Sequence, residues 1–201
     1  MQAARSWVSS EICSTRLEWR DRDCHFIFGN VCTAAVIKPA EDAKGARFNI
    51  LSMRCATQSS NNIRNNNGCL RRSRGQMEGS RDMQFVQEGR KVFKKVLPLV
   101  SAHIQAHLEE AGIQANALKC LWLYQSNKSM NGFIGRKVLG RTPTAEEQSN
   151  ILQDYADTSS AGSIIVLSHF SGGLKPGDFG LICSLGAGYS VGCVIVQRSE
   201  A

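Results

Sequence analysis

Hydrophobic and polar positions follow two different periods along this chain. From residue 84 to 112 the apolar positions Phe85, Val92, Phe93, Val96, Val100, Ile104 and Leu108 recur every three to four residues. That is the spacing of one helix face, and Pro98 is expected to kink the helix or divide it. Short apolar runs bounded by turn residues predict strands at 25–30 and 31–38, about a tight Gly29-Asn30 turn, and again at 48–53, 119–124, 179–185 and 189–197. Helical spacing returns at Met130, Phe133, Ile134, Val138 and Leu139, predicting a helix over 129–139. Thr144 with Glu147 three positions on is a capping box and predicts another helix over 144–152. A fourth helix is expected over 161–170. Residues 1–24 show neither period, and the polar stretch 57–82 reads as loop. Strand, helix, strand, helices and two closing strands predict an α/β layered domain.

Two junctions in this pattern carry candidate chemistry. The apolar run Leu121-Trp122-Leu123 breaks at Tyr124 into Gln125, Ser126 and Asn127 just before a helix. Asp157, Thr158, Ser159 and Ser160 supply capping side chains just before the helix at Ala161. Polar side chains delivered at a helix N-terminus are where α/β proteins commonly act on ligands, although ordinary capping gives the same pattern.

Composition narrows the setting. With 201 residues the chain has length for one domain with a sizeable core. A formal net charge of +7 favours an acidic partner, a requirement that acyl carrier protein, nucleic acid and anionic membrane all meet. No apolar run approaches the ~18 residues of a membrane span, and the first ten residues hold no signal-peptide core, so a cytoplasmic protein is expected. The eight cysteines never form a C-x-x-C pair and are expected to be reduced and mostly buried, Cys32 included. His103, His107 and Glu110 share a helix face, as metal ligands would, but no third motif ligand accompanies the histidines. Arg64, Arg71, Arg72 and Arg74 form a basic loop, read either as an anion-docking surface or as a solvated loop. No aromatic-and-basic motif of a nucleic-acid reader is present.

The two junctions, followed by the Gly-rich segment 183–192, resemble the C-terminal half of β-ketoacyl-acyl carrier protein synthase III, a branch of the thiolase superfamily, over about residues 25–198. That family has a His-Gln-Ala-Asn motif after one strand, an Asn-Thr-Ser motif opening a later helix, and a Gly-rich turn between its last two strands. The resemblance implies a thiolase-like layered fold, with 1–24 a remnant segment, 25–40 the closing hairpin of the first half-fold and 41–201 the C-terminal domain.

It also implies acyl transfer with decarboxylative condensation in fatty acid or polyketide biosynthesis. No cofactor is implied beyond the pantetheine of acyl carrier protein or coenzyme A that carries the substrates. Tyr124 stands where the family has its catalytic His, and Asp157 where it has its catalytic Asn. Asn127 matches the motif Asn that lines the pantetheine channel; Gly186 and Gly188 match the Gly-rich turn, with Leu185 in place of a Phe. No residue matches the family's nucleophilic Cys, so a truncated form, inactive by itself, is expected. The alternative is a non-catalytic subunit that binds a complete synthase or acyl carrier protein. Acyl carrier protein, a partner synthase chain or a second copy of this chain are the expected partners, and nucleic acid is not.

Overall fold

The computed structural model describes residues 4–22, 24–65 and 81–200. Strands β1 (Arg5–Ile12) and β2 (Asn30–Ile37) form an antiparallel ribbon. Four further strands form the main sheet: β3 (Arg47–Thr57), β6 (Leu118–Leu123), β7 (Phe179–Gly186) and β8 (Ser190–Ser199), in the order β3-β8-β7-β6. Only β6 and β7 run parallel; the other neighbours are antiparallel. A small bridge joins β4 (Ile63–Arg64) to β5 (Val86–Gln87). The helices are α1 (Gly89–Glu110), α2 (Lys128–Leu139), the single turn α3 (Leu152–Tyr155) and α4 (Ala161–Phe170).

β6 shows why its sequence reads as an unbroken apolar run. Leu121 and Leu123 join α1 and α2 in one core cluster with Val96, Val100, Ile104, Met130 and Ile134. Cys120 and Trp122 join a second cluster with Ile165 and Val166 of α4. With helices on both faces, every position of the strand except Lys119 is buried. The Trp122 ring lies so close to β7 that a Cβ on Gly180 would sit 2.2 Å from it, which only glycine avoids.

α1 buries Val92, Val96, Val100, Ile104 and Leu108 as the spacing predicts. It starts later than expected, because Phe85 precedes the short β5. Pro98 does not divide it: the ring is on the exposed side, next to the exposed Lys94 whose carbonyl loses its helical partner. The helix stops at Gly112, whose φ of 67° suits glycine, while Ala111, Gly112 and Ile113 donate back to the last carbonyls.

Three expectations are corrected. Residues 25–28 are turn and bridge, not a strand, so 25–40 is not a hairpin; β2 pairs instead with β1, inside the stretch where neither period was visible. Inward positions of β1, Ser9 and Glu11, are polar and outward positions, Val8 and Ile12, are apolar, which inverts the usual signal of a half-buried strand. The capping box at Thr144 forms both of its bonds, Thr144 N–H to the Glu147 carboxylate at 2.8 Å and Glu147 N–H to Thr144 Oγ1 at 3.2 Å. It caps only one turn, because the chain then straightens through Gln148, Ser149 and Asn150. Cys32 is exposed on β2, where no described residue covers that face of the ribbon.

Candidate active site

Tyr124 directly follows β6, its N–H donating to the Cys183 carbonyl of β7 at 2.8 Å. Asp157 lies on the loop between α3 and α4, and that loop is fixed from both sides. The Asp157 N–H donates to the Ile27 carbonyl and its carbonyl accepts from Gly29 N–H, both at 2.8 Å. A Cβ on Gly29 would stand 2.2 Å from the Tyr155 carbonyl oxygen, so this docking requires glycine. Ala156 and Ser159 on either side hold φ of 58° and 54°, unusual for residues with side chains. Buried Gln125 braces the start of α3, donating to the Leu123 carbonyl at 2.9 Å and accepting from Ile151 N–H at 3.2 Å.

Tyr124 and Asp157 thus come together: the Tyr124 hydroxyl donates to Asp157 Oδ2 at 3.1 Å, and Ser159 N–H donates to Oδ1 at 2.9 Å. Asp157 is 3% exposed. Burial pushes its carboxyl up from 3.8 to about 6; the Ser159 and Tyr124 hydrogen bonds oppose this and the nearby Glu11 charge adds to it. Burial, then the Asp157 charge, raise the Tyr124 phenol well above its ordinary value, so it stays protonated.

The N-terminal contribution carries no motif or period by which it could be read in advance. Glu11 Oε1 accepts from Ser160 Oγ and, at 3.3 Å, from Ser9 Oγ. Cys13 lies within electrostatic reach of Asp157, and burial raises its thiol to about 11, which leaves it protonated and unreactive at neutral pH.

A small, partly open cleft lies beside Tyr124, walled by Val96, Val100, Met130, Ile134 and Leu185, with Ser126 and Ser184 as polar groups. Asn127 is the N-cap of α2, its Oδ1 accepting from Ser129 N–H at 2.8 Å and Met130 N–H at 3.2 Å. Gly186 and Gly188 flank the β7–β8 turn; a Cβ on Gly186 would meet open space, and Gly188 has φ 138°. A second depression beyond that turn is lined by Gln58, Ser59, Ser60, Asn62, Tyr189 and three lysines, Lys91, Lys94 and Lys95.

The candidate metal ligands are otherwise engaged. His107 Nε2 is 2.8 Å from Ser52 Oγ, His103 Nε2 is 3.2 Å from the Arg54 carbonyl, and Glu110 pairs with Arg54. Among the described residues no group of three or more His, Cys, Asp or Glu could hold a metal, and no helix is long and apolar enough to cross a membrane. Arg64 bonds to the Asn61 carbonyl and to Glu88, while Arg71, Arg72 and Arg74 lie outside the described residues.

The chain is similar to known proteins. Residues 108–198 match the model of the 3-oxoacyl-[acyl-carrier-protein] synthase III C-terminal family. The chain is 50% identical over 192 residues to the β-ketodecanoyl-[acyl-carrier-protein] synthase of Pseudomonas aeruginosa, covering 95% of this chain and 55% of that protein. It is 28% identical to a β-ketoacyl-[acyl-carrier-protein] synthase III of Desulfotalea psychrophila, covering 94% of this chain and 58% of that one. The chain therefore spans somewhat more than half the length of the relatives it matches. Its fold superposes on 3-oxoacyl-[acyl-carrier-protein] synthase III from Aquifex aeolicus with a TM-score of 0.79 at 23% identity, covering 96% of this chain and 57% of that one. Residues 108–198 are thus a domain of the 3-oxoacyl-[acyl-carrier-protein] synthase III C-terminal family, carried on a thiolase-like fold.

Proposed function

We propose that this chain forms part of a ketoacyl synthase III-type condensing site in the cytoplasm. Its substrates are acyl and malonyl groups carried on the pantetheine of acyl carrier protein or coenzyme A. By itself the chain has no condensing activity. The Tyr124–Asp157 hydrogen bond carries this reading. Condensation through an enolate needs two donors aimed at the thioester oxygen, the roles that His and Asn fill in the resembled family. A phenol has one proton, and here it is committed to Asp157. Ionised Asp157 accepts only, and its charge opposes a developing enolate. Loss of one such donor costs about 10²- to 10³-fold in rate, and both positions are altered.

The rest of the site suits substrate binding. The small cleft beside Tyr124 is apolar in character, as the inner end of an acyl or pantetheine channel would be, and Asn127 at the start of α2 and Leu185, Gly186 and Gly188 at the β7–β8 turn are the residues proposed to line the rest of that channel. Lys91, Lys94 and Lys95 beside that turn suit an acidic carrier protein. The test is carbon dioxide release from malonyl-acyl carrier protein. The purified chain is expected near background, and turnover above that of a Tyr124→Phe, Asp157→Ala double variant refutes the reading.

A further inference from the structure

Strands β7 and β8 each carry a cysteine at facing positions, Cys183 directly opposite Cys193. The backbone hydrogen bonds on either side of the pair show how close it stands. The Cys183 carbonyl accepts from Tyr124 N–H on the β6 side, and a strand residue turns its own N–H and carbonyl to one side. On the other edge of β8, Tyr189 exchanges both backbone bonds with Gln58, so Val191 and Cys193, at alternate positions after it, turn theirs towards β3. Cys183 and Cys193 therefore have no backbone bond between them. They form the non-hydrogen-bonded type of antiparallel pair, whose Cα atoms stand about 4.5 Å apart. A disulfide spans Cα separations of about 4.4–6.8 Å, so the backbone already stands where an S–S bond needs it.

Both side chains are buried in the core cluster with Leu181, Val191 and Ile195. The thiols meet there: a hydrogen bond with Cys183, then burial, push the Cys193 thiol well above its ordinary value. No other described cysteine in a strand faces a second one, since Cys32 is opposite Ser10, Cys55 opposite Gly192 and Cys120 opposite Gly180. Cys183 also lines the cleft beside Tyr124, which gives a small solute its way to the pair.

We infer that Cys183 and Cys193 are a redox-responsive clamp, a buried dithiol that a small peroxide closes to a cross-strand disulfide and a thiol reductant reopens. One peroxide balances the step. Hydrogen peroxide oxidises the Cys183 thiol to a sulfenic acid and releases one water. The Cys193 sulfur then attacks the Cys183 sulfur, the S–S bond forms as the S–O bond breaks, and the hydroxyl leaves with the Cys193 proton as a second water. Because the Cys193 thiol holds its proton, closure is slow and answers sustained oxidant, not a brief exposure. The clamp bears on the site through β7. That strand receives the Tyr124 N–H at Cys183, and its Ser184 Oγ stands 2.7 Å from Ser163 Oγ of α4. It acts whether or not the site condenses thioesters.

The experiment treats the dilute native protein at pH 7.5 with hydrogen peroxide, removes the oxidant with catalase, and alkylates the remaining thiols after unfolding. Oxidation of the exposed Cys32 reports that the peroxide has acted. Peptide mapping is expected to find the Cys183 peptide joined to the Cys193 peptide, with a mass about 2 Da below their sum, two hydrogens per disulfide. Dithiothreitol is expected to restore both thiols. In the closed form, amide hydrogen exchange at Tyr124 is expected to slow by about tenfold or more, since the cross-link opposes opening of the strands. Cys183→Ala or Cys193→Ala is expected to abolish the slowing, and the peptide map of the unsubstituted chain decides by itself if either variant fails to fold. The inference is overturned by both thiols remaining free after Cys32 is oxidised, by Cys183 passing to a sulfinic acid with Cys193 unpaired, by a link that forms only in denaturant, or by a native link that leaves exchange at Tyr124 unchanged.

Discussion

Replacing Asp157 by Asn should make the protein more stable at neutral pH, by an amount the structure fixes. The carboxyl titrates near 6 in the folded chain and near 3.8 when exposed. An acid with a raised folded value is bound more tightly by protons in the native state, so the sign is the reverse of the common Asp case. Stability is unaffected by this group below about pH 3.8, falls as pH rises towards 6, and carries the whole penalty above it. A difference of about two in pKa, at about 1.36 kcal/mol each, comes to roughly 3 kcal/mol. Asn keeps the shape, can still accept from Ser159 N–H and can still bond the Tyr124 hydroxyl. Asp157→Asn should therefore raise Tm at pH 7.5 by about 6–12 °C, taking about 2–4 °C per kcal/mol for a chain of this size. Urea unfolding of both proteins from pH 3.5 to 8 checks it, because every other titrating group cancels in the difference. A stability gap that stays flat with pH, or that grows as pH falls, refutes the assignment of a buried, proton-hungry carboxyl to this position.

Further outcomes follow from the packing. Gly180→Ala should cost about 1–3 kcal/mol in urea unfolding, since the added methyl overlaps the Trp122 ring. His107→Ala should cost about 2–4 kcal/mol, because it empties a fully buried site and leaves Ser52 without its partner. With a thiol reagent at pH 7.5, Cys32 and Cys55 should label within the native protein, whereas Cys24, Cys120, Cys183 and Cys193 should label only on unfolding, as mass mapping of the labelled peptides would show. Equal labelling rates would contradict the fold.

The main sheet and the long helices were legible because burial on both faces leaves a plain record. Leu121, Trp122 and Leu123 have no choice but to be apolar, and α1 needs one apolar stripe against the sheet. Tyr124 and Asp157 were placed by motif order, and the structure brings them to 3.1 Å. What could not be read was set by contacts far apart in sequence. β1 points Glu11 and Ser9 at Ser160, some 150 positions away, so its polar residues face inward and its apolar ones outward. At Thr144 the local capping signal was right and the helix still failed to grow, because Gln148 turns to the Asn131 carbonyl of α2 at 2.7 Å. Propensity nominates a helix start, but packing decides how far it runs.

The two backbone hydrogen bonds from Ile27 and Gly29, just before β2, tie the entry of the ribbon to the loop that carries Asp157. Linkage between two sites is reciprocal in free energy. A partner that binds the ribbon more tightly when Asp157 is protonated must raise the proton affinity of Asp157 by the same factor, and acidification towards pH 6 must then strengthen the assembly. Protonation of one buried carboxyl and the joining of two polypeptides would be readings of a single equilibrium, measurable from either end.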